Sequence, residues 1–234
     1  MNDPIGQAIA DFFETGEAPD ILVNTNYTEG EILPPSVFFR NEKNLPEIEK
    51  KALNLCRDKV LDVGAAAGCH TMILQKKGFE VIALEKSPLA TAVMKKRGIK
   101  KVICKDIFDF DKQGFDTILI LMNGTGIGQT LEGLLKLLLH LKKILNTNGQ
   151  ILIDSSDIRY LFEEDDGSVW IDIANNSYPG EMEYELTYKN HTSHFRWLFV
   201  DFDTLSDVAR KAGLKAKWIA EGEHFDYLAQ LTIG

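Results

Sequence analysis

The run from Val60 to Leu74 constrains this chain more than any other, because three kinds of local structure follow one another in it without a gap. Val60, Leu61 and Val63 form a short apolar run of the kind found in a parallel strand covered on both faces. Gly64 to Gly68 then contain no side chain larger than a methyl group. From Thr71 to Lys77 the pattern becomes helical, so unpaired N–H groups at the helix start face whatever lies over the turn. A tight structural βα turn satisfies this pattern, and so does a ligand seated against the backbone.

The neighbouring residues favour the ligand. Phe79 to Glu85 reads as a second buried strand, ending in an acid about twenty positions after Gly64, where a carboxylate can accept from two ribose hydroxyls. A dinucleotide fingerprint requires G-x-G-x-x-G, whereas this chain has Ala66 and Cys69 at the second and third glycine positions. The pattern Asp62-x-Gly64-x-Ala66-x-Gly68 instead resembles the first motif of the class I S-adenosylmethionine-dependent methyltransferases. Ala66 is the departure, and it is compatible with the motif if this residue has negative φ, where glycine has no special advantage.

That resemblance implies an α/β fold, doubly wound, with a seven-stranded, mostly parallel sheet of order 3-2-1-4-5-7-6 and a β-hairpin inserted after the fifth strand. It implies S-adenosyl-L-methionine as the cofactor and Asp62, Gly64, Ala65, Ala66, Gly68, Glu85 and Lys86 as residues around it. Asp106-Ile107-Phe108 resembles the segment that holds the adenine, with a loop aspartate bonded to local N–H groups as the competing reading. Met122 and Asn123 follow the fourth strand, Gly114 to Leu121, at the sheet edge where ligands bind. The (Asp/Asn)-Pro-Pro-aromatic sequence of enzymes that methylate amino groups of nucleic acids or proteins is missing here.

Length and composition fit one large domain: 234 residues with 44% apolar content suit a single α/β unit with additions. Residues 1–43 read as an N-terminal helix and a segment that serves either as a lid over the cofactor side of the sheet or as a strap covering core, and residues 44–234 as the methyltransferase domain, with 155–203 as an insertion and candidate substrate cap. The net charge of −9 and pI of about 5.1 argue against a nucleic-acid or anionic-membrane surface, which needs clustered Lys and Arg. Lys95, Lys96, Lys100 and Lys101 surround a helix end and complement its dipole. No signal peptide is read before the first helix, and the most apolar run, residues 118 to 122, is far too short to span a bilayer, so the expectation is a cytoplasmic protein. Cys56, Cys69 and Cys104 are widely spaced without C-x-x-C, so neither disulfide nor zinc is expected. His191-x-x-His194 lies at a hairpin tip without further ligands, and no metal site is expected there.

The remaining candidates follow in chain order. Ile5 to Glu14 has helical spacing. Residues 21 to 40 show no clear period but end in Val37-Phe38-Phe39-Arg40, and Arg40 is a natural partner for the methionine carboxylate. Leu45 to Leu55, Pro88 to Lys96 after a Ser87 cap, and Leu131 to Leu145 before Asn148-Gly149 read as helices. Gln150 to Asp154 is the fifth strand. Residues 151 to 190 hold ten Asp and Glu against Arg159 and Lys189, and the run at residues 163 to 166 reads as a solvated loop. Residues 183 to 189 and 194 to 203 alternate around a tip at 190 to 193, forming a hairpin. Thr204 with Asp207 resembles a capping box, and two closing strands run from Leu214 and Phe225.

The expected reaction is in-line displacement of a methyl group onto an O or N nucleophile of a small molecule, without nucleic acid or membrane. Asn123 would orient the acceptor, and for a hydroxyl acceptor His194 or Asp154 would serve as base. Trp197 or Tyr184 would wall the pocket. A non-catalytic cofactor-binding subunit and a nicotinamide-dependent dehydrogenase are the alternative readings, the second opposed by the glycine spacing.

Overall fold

The computed structural model describes residues 2–162 and 178–234; the acidic run at 163 to 166 therefore lies outside the described residues. In chain order the elements are α1 (Pro4–Thr15), β1 (Ile21–Thr25), β2 (Glu31–Leu33), α2 (Glu47–Leu55), β3 (Lys59–Val63), α3 (Cys69–Lys76), β4 (Glu80–Glu85) and α4 (Pro88–Lys96). They continue with β5 (Val102–Cys104), β6 (Phe115–Ile120), α5 (Leu131–Ile144), β7 (Leu145–Ser156), β8 (Glu181–Tyr188), β9 (His191–Leu198), α6 (Phe202–Lys211), β10 (Leu214–Glu221) and β11 (Asp226–Ile233).

The main sheet has seven strands in the order β10-β11-β7-β6-β3-β4-β5. β3, β4, β5, β6 and β7 pair in parallel, while β11 is antiparallel to both β7 and β10. Numbered from β3, this is the expected 3-2-1-4-5-7-6. The chain runs from β3 through β4 and β5 on one side and then reverses to β6 and β7 on the other, which places the β3–α3 turn at a topological switch point, the usual ligand edge of such a sheet. The core lies on both faces. Leu134, Leu137, Leu138 and Leu141 of α5 pack with Ile118, Ile120, Ile151 and Ile153 on one side, and Ile48, Ala52 and Leu53 of α2 pack with Val60, Leu119 and Leu152 on the other. Removing such a Leu to Ala costs about 2–5 kcal/mol.

Several local expectations need correction. The aperiodic segment after α1 contains two strands, β1 and β2, that join β8 and β9 in a second, antiparallel sheet of order β2-β1-β8-β9. β1 is five residues and β2 three, too short to display a period. The hairpin turns at Lys189-Asn190, since Tyr188 pairs with His191; Lys189 takes the positive φ of 51° that closes it. α5 does not end at Asn148-Gly149. Leu145 is already extended, and Phe115 pairs with Leu145 while Thr117 pairs with Gln150, so the intervening residues bulge from the start of β7. The cap of α6 is Asp201, whose carboxylate accepts from the Thr204 N–H at 3.0 Å, and Asp207 instead pairs with Arg210.

Candidate active site

β3 and β4 end side by side, Val63 opposite Leu84, so the turn from Gly64 to Gly68 sits beside Glu85. The Gly64 and Ala65 N–H groups both donate to the Leu84 carbonyl. Glu85 accepts from the Ala66 N–H at 3.0 Å through Oε2 and from the Ser87 N–H at 2.9 Å through Oε1. Each oxygen keeps a second lone pair. Burial raises the Glu85 carboxyl above its ordinary range, the two N–H bonds and Lys86 opposing it while the Asp3 charge adds to the rise. Gly64 is exposed with φ of 70°, and a Cβ there would meet only Ile127 at 3.5 Å. Gly68 is the opposite case: its φ is 80°, and a Cβ would lie 2.2 Å from Ile99.

Ala66 does not have the expected negative φ; it lies at 49°. Alanine here accepts a left-handed conformation that glycine would adopt freely. Asp62 is turned into the fold. It is 2% exposed, and its Oδ2 accepts from the Thr71 hydroxyl at 2.5 Å, tying β3 to the first turn of α3. Burial raises its carboxyl, against the opposing effects of His70 and Thr71.

The N-terminal residues wrap over this turn. Phe39, in the 3-10 turn Pro35–Phe39, lies between Phe12, at 4.8 Å between ring centroids, and the Arg97 guanidinium, also at 4.8 Å. Arg97 also donates to the Ala67 carbonyl, so one side chain joins strap and turn. Asp3 caps α1 through the Gly6 N–H and accepts from the Ser87 hydroxyl, which itself caps α4. Arg40 donates through Nε to the Val37 carbonyl and through Nη2 to Glu49, at 2.8 and 3.0 Å to its two oxygens. Glu49 in turn lies 2.6 Å from His70 Nε2. Sequence reasoning missed Glu49 although a signal existed: Ile48, Ala52 and Leu53 define the buried stripe of α2, and helical spacing places position 49 within it. It also missed Arg97, whose stacking leaves no local pattern.

After β6 the chain takes two successive left-handed residues, Met122 at 69° and Asn123 at 57°. Asp154 holds them there: its Oδ2 accepts from the Met122 N–H at 3.0 Å and its Oδ1 from the Gly124 N–H at 2.9 Å. As a base Asp154 needs correction, since its carboxylate is 4% exposed and spent on backbone. Burial pushes it up to about 6; N–H bonds from Gly124 and Asn123 oppose this, the Glu49 charge adds to it and the Met122 N–H opposes it. Asn123 Oδ1 accepts from the Ser156 hydroxyl at 2.8 Å, which fixes the amide beside the loop. Thr125 is buried and bonded to Ser155 and to the Leu198 carbonyl.

The hairpin covers this loop. On its inner face Met182 pairs with Trp197 and Tyr184 with Phe195; the Trp197 ring lies so close to Gly126 that a Cβ there would fall 2.0 Å from it. Tyr184 stacks on Phe195 at 5.8 Å, and both rings, like Ala66 and Met122, border the same apolar cluster. His194 is on the other face. It pairs with Glu185 in the register, its Nδ1 3.7 Å from Glu185 Oε2 and its side chain 69% exposed, so it too is misplaced for a base. Lys86 is exposed. Asp106 caps the short turn Ile107–Asp109 by accepting from the Phe108 N–H at 2.9 Å, and Ile107 is buried beneath it. No described helix is long and apolar enough to cross a membrane.

No family model matches this chain and no curated protein matches it in sequence. Among solved structures, it is similar to a SAM-dependent methyltransferase from Bacteroides fragilis in complex with S-adenosyl-L-homocysteine, at 43% identity over 100% of this chain and 95% of that one, with a TM-score of 0.93. Two more distant structures share the fold. The CcbJ methyltransferase from Streptomyces caelestis is 12% identical over 83% of this chain and 99% of that one, TM-score 0.63. The sugar N-methyltransferase KedS8 from Streptoalloteichus is 15% identical over 90% and 96%, TM-score 0.58.

Proposed function

The chain belongs to the class I S-adenosylmethionine-dependent methyltransferases, and from that premise we propose that it transfers a methyl group to an amine nitrogen of a small molecule. S-adenosylmethionine is its cofactor and supplies, when bound, a methyl group activated by a sulfonium. The turn fits it: an open Gly64, small side chains through Gly68 and a paired carboxylate at Glu85 suit a nucleoside with an unphosphorylated chain. Glu85 would accept from the ribose hydroxyls through its remaining lone pairs. Asp106 and the Ile107 backbone would flank the adenine, and Arg40 would meet the methionine carboxylate.

The observation that carries the small-molecule reading is the closure of the hairpin over the loop at 122 to 128, with Trp197 against Gly126. A face of Tyr184, Phe195 and Trp197 opposite Met122 supports a walled acceptor pocket more than an open groove for a polymer. Asn123 would orient the nucleophile from a loop that Asp154 and Ser156 hold rigid, and such positioning contributes roughly 7–11 kcal/mol in favourable cases. Nitrogen is favoured because the two candidate bases, Asp154 and His194, are both out of position, and a neutral amine needs none. The likeness in fold to a sugar N-methyltransferase is consistent with this reading.

The test is methyl-labelled cofactor supplied to the protein with fractionated small metabolites and, separately, with nucleic acid and protein fractions. Label on nitrogen in the metabolite fraction is the expected result. Label mainly in nuclease-sensitive polymer, with binding that weakens steeply as salt rises, contradicts it.

A further inference from the structure

We propose that Glu49 is a positioning residue for the amino-acid end of the cofactor, holding the Arg40 guanidinium beside the first turn of α3 where it meets the methionine carboxylate. This rests on the assignment of Arg40 given above. Glu49 is 4% exposed, and its carboxylate joins two cations: Arg40 Nη2 at 2.8 and 3.0 Å and His70 Nε2 at 2.6 Å. His70 is the second residue of α3, immediately after the Gly68 cap. Arg40 immediately follows the turn that Arg97 pins to Ala67. Both partners of Glu49 therefore lead to the cofactor turn, one from each side.

Packing gives no reason for an acid here. Position 49 continues the Ile48, Ala52, Leu53 stripe, and a buried ion pair is often no more stable than apolar side chains of the same volume. What the acid adds is direction. Anchored through Nε to the Val37 carbonyl and through Nη2 to Glu49, Arg40 has its plane fixed, and its Nη1 edge is the one left for a planar carboxylate.

Charge supports the same reading. Burial pulls His70 down, but the Cys69 sulfur, the Glu49 carboxylate and Asp62 outweigh it and hold the imidazole well above its ordinary range. Burial also raises Glu49, yet His70 and then Arg40 keep it below its ordinary value. With His70 protonated, Arg40, Glu49 and His70 carry one net positive charge, so Glu49 orients the guanidinium without cancelling its attraction for an anion. Asp62 and Asp154, two acids that feel the Glu49 charge, are turned to Thr71 and to the Met122 and Gly124 N–H groups and shifted towards their neutral forms.

Two ligands separate positioning from general support of the fold. S-adenosylhomocysteine carries the amino-acid end, whereas 5′-methylthioadenosine keeps the adenosine and thioether without it. In calorimetric titrations, Glu49→Gln should weaken S-adenosylhomocysteine about tenfold, the scale of one charge-assisted bond, and leave 5′-methylthioadenosine unchanged. In an Arg40→Ala background the same substitution should have no further effect on S-adenosylhomocysteine. If Glu49→Gln does not fold, Glu49→Asp, which keeps the charge but withdraws it by one methylene, should show the same split between ligands. Equal loss for both ligands, no loss for either, or a further tenfold loss in the Arg40→Ala background overturns the proposal. Wild-type protein that binds neither ligand would instead overturn the cofactor assignment on which it rests.

Discussion

Replacing Asp154 by Asn should make stability relative to the wild type rise with pH, and should lower activity. In the wild type the Asp154 carboxyl is raised from 3.8 to about 6, chiefly by burial. Between those values the folded protein holds a proton that the unfolded chain has released. Stability therefore falls as pH rises through the window, by about 3 kcal/mol in all at about 1.4 kcal/mol per pKa unit. The contribution is fully present below the unfolded value and lost above the folded one. Asparagine has nearly the same shape and cannot ionise, so the variant lacks this slope. Urea unfolding of both proteins, followed by far-UV circular dichroism, should show the variant gaining about 2 kcal/mol on the wild type between about pH 4 and pH 7. Titration of groups remote from Asp154 cancels in the difference. The Asn amide presents a donor where the carboxylate accepted from Met122 or Gly124, so the left-handed loop loses a charge-assisted bond, and methyl transfer should fall roughly tenfold. A stability difference that is flat with pH, or that favours the wild type increasingly towards pH 7, would refute the reasoning.

Ala66→Gly should stabilise the fold: the left-handed alanine costs roughly 1–2 kcal/mol, of which glycine's greater unfolded-state entropy cancels about 0.5–1 kcal/mol. A melting temperature raised by a few degrees is expected by calorimetry, and a lowered one contradicts the reading of this turn. Gly126→Ala should destabilise by about 1–3 kcal/mol through overpacking against Trp197, and in a Trp197→Ala background the same change should cost much less. Additive losses in that double-mutant cycle would mean that hairpin and loop do not share this contact.

The strand–turn–helix at Val60 to Leu74 and the acid at Glu85 were legible because each is written in contiguous residues, and the sheet order was legible only through them. A buried parallel strand, a small-residue turn and a capped helix leave local periods, and the order followed from the resemblance those residues carry. The second sheet was half legible. Residues 183 to 189 and 194 to 203 alternate visibly, but β1 and β2 are too short to do so and become strands only by pairing, β1 with β8 and β2 with β1. The site was legible where backbone chemistry defines it and not where side chains meet across the chain. Asp154 and His194 are plausible bases by type and order. The first is spent on the N–H groups of Met122 and Gly124, and the parity of the Glu185–His194 pair turns the second outward. Nothing local marks the bond between Arg40 and Glu49 or the stacking of Arg97 on Phe39, because each joins elements whose register only the folded chain sets. Ala66 shows the same limit in one residue, since nothing beside it in the sequence marks a left-handed φ.

On the proposed function, the stretch from Gly64 to Glu85 would hold the nucleoside of S-adenosylmethionine and not a dinucleotide. Calorimetric titration of S-adenosylhomocysteine and of NAD against the wild type and Glu85→Ala tests it most directly. The expected result is S-adenosylhomocysteine binding in the wild type far tighter than NAD, with a loss of about 1.5–3 kcal/mol for S-adenosylhomocysteine on removing the Glu85 carboxylate. Comparable affinity for NAD, or S-adenosylhomocysteine affinity unchanged in Glu85→Ala, would contradict it.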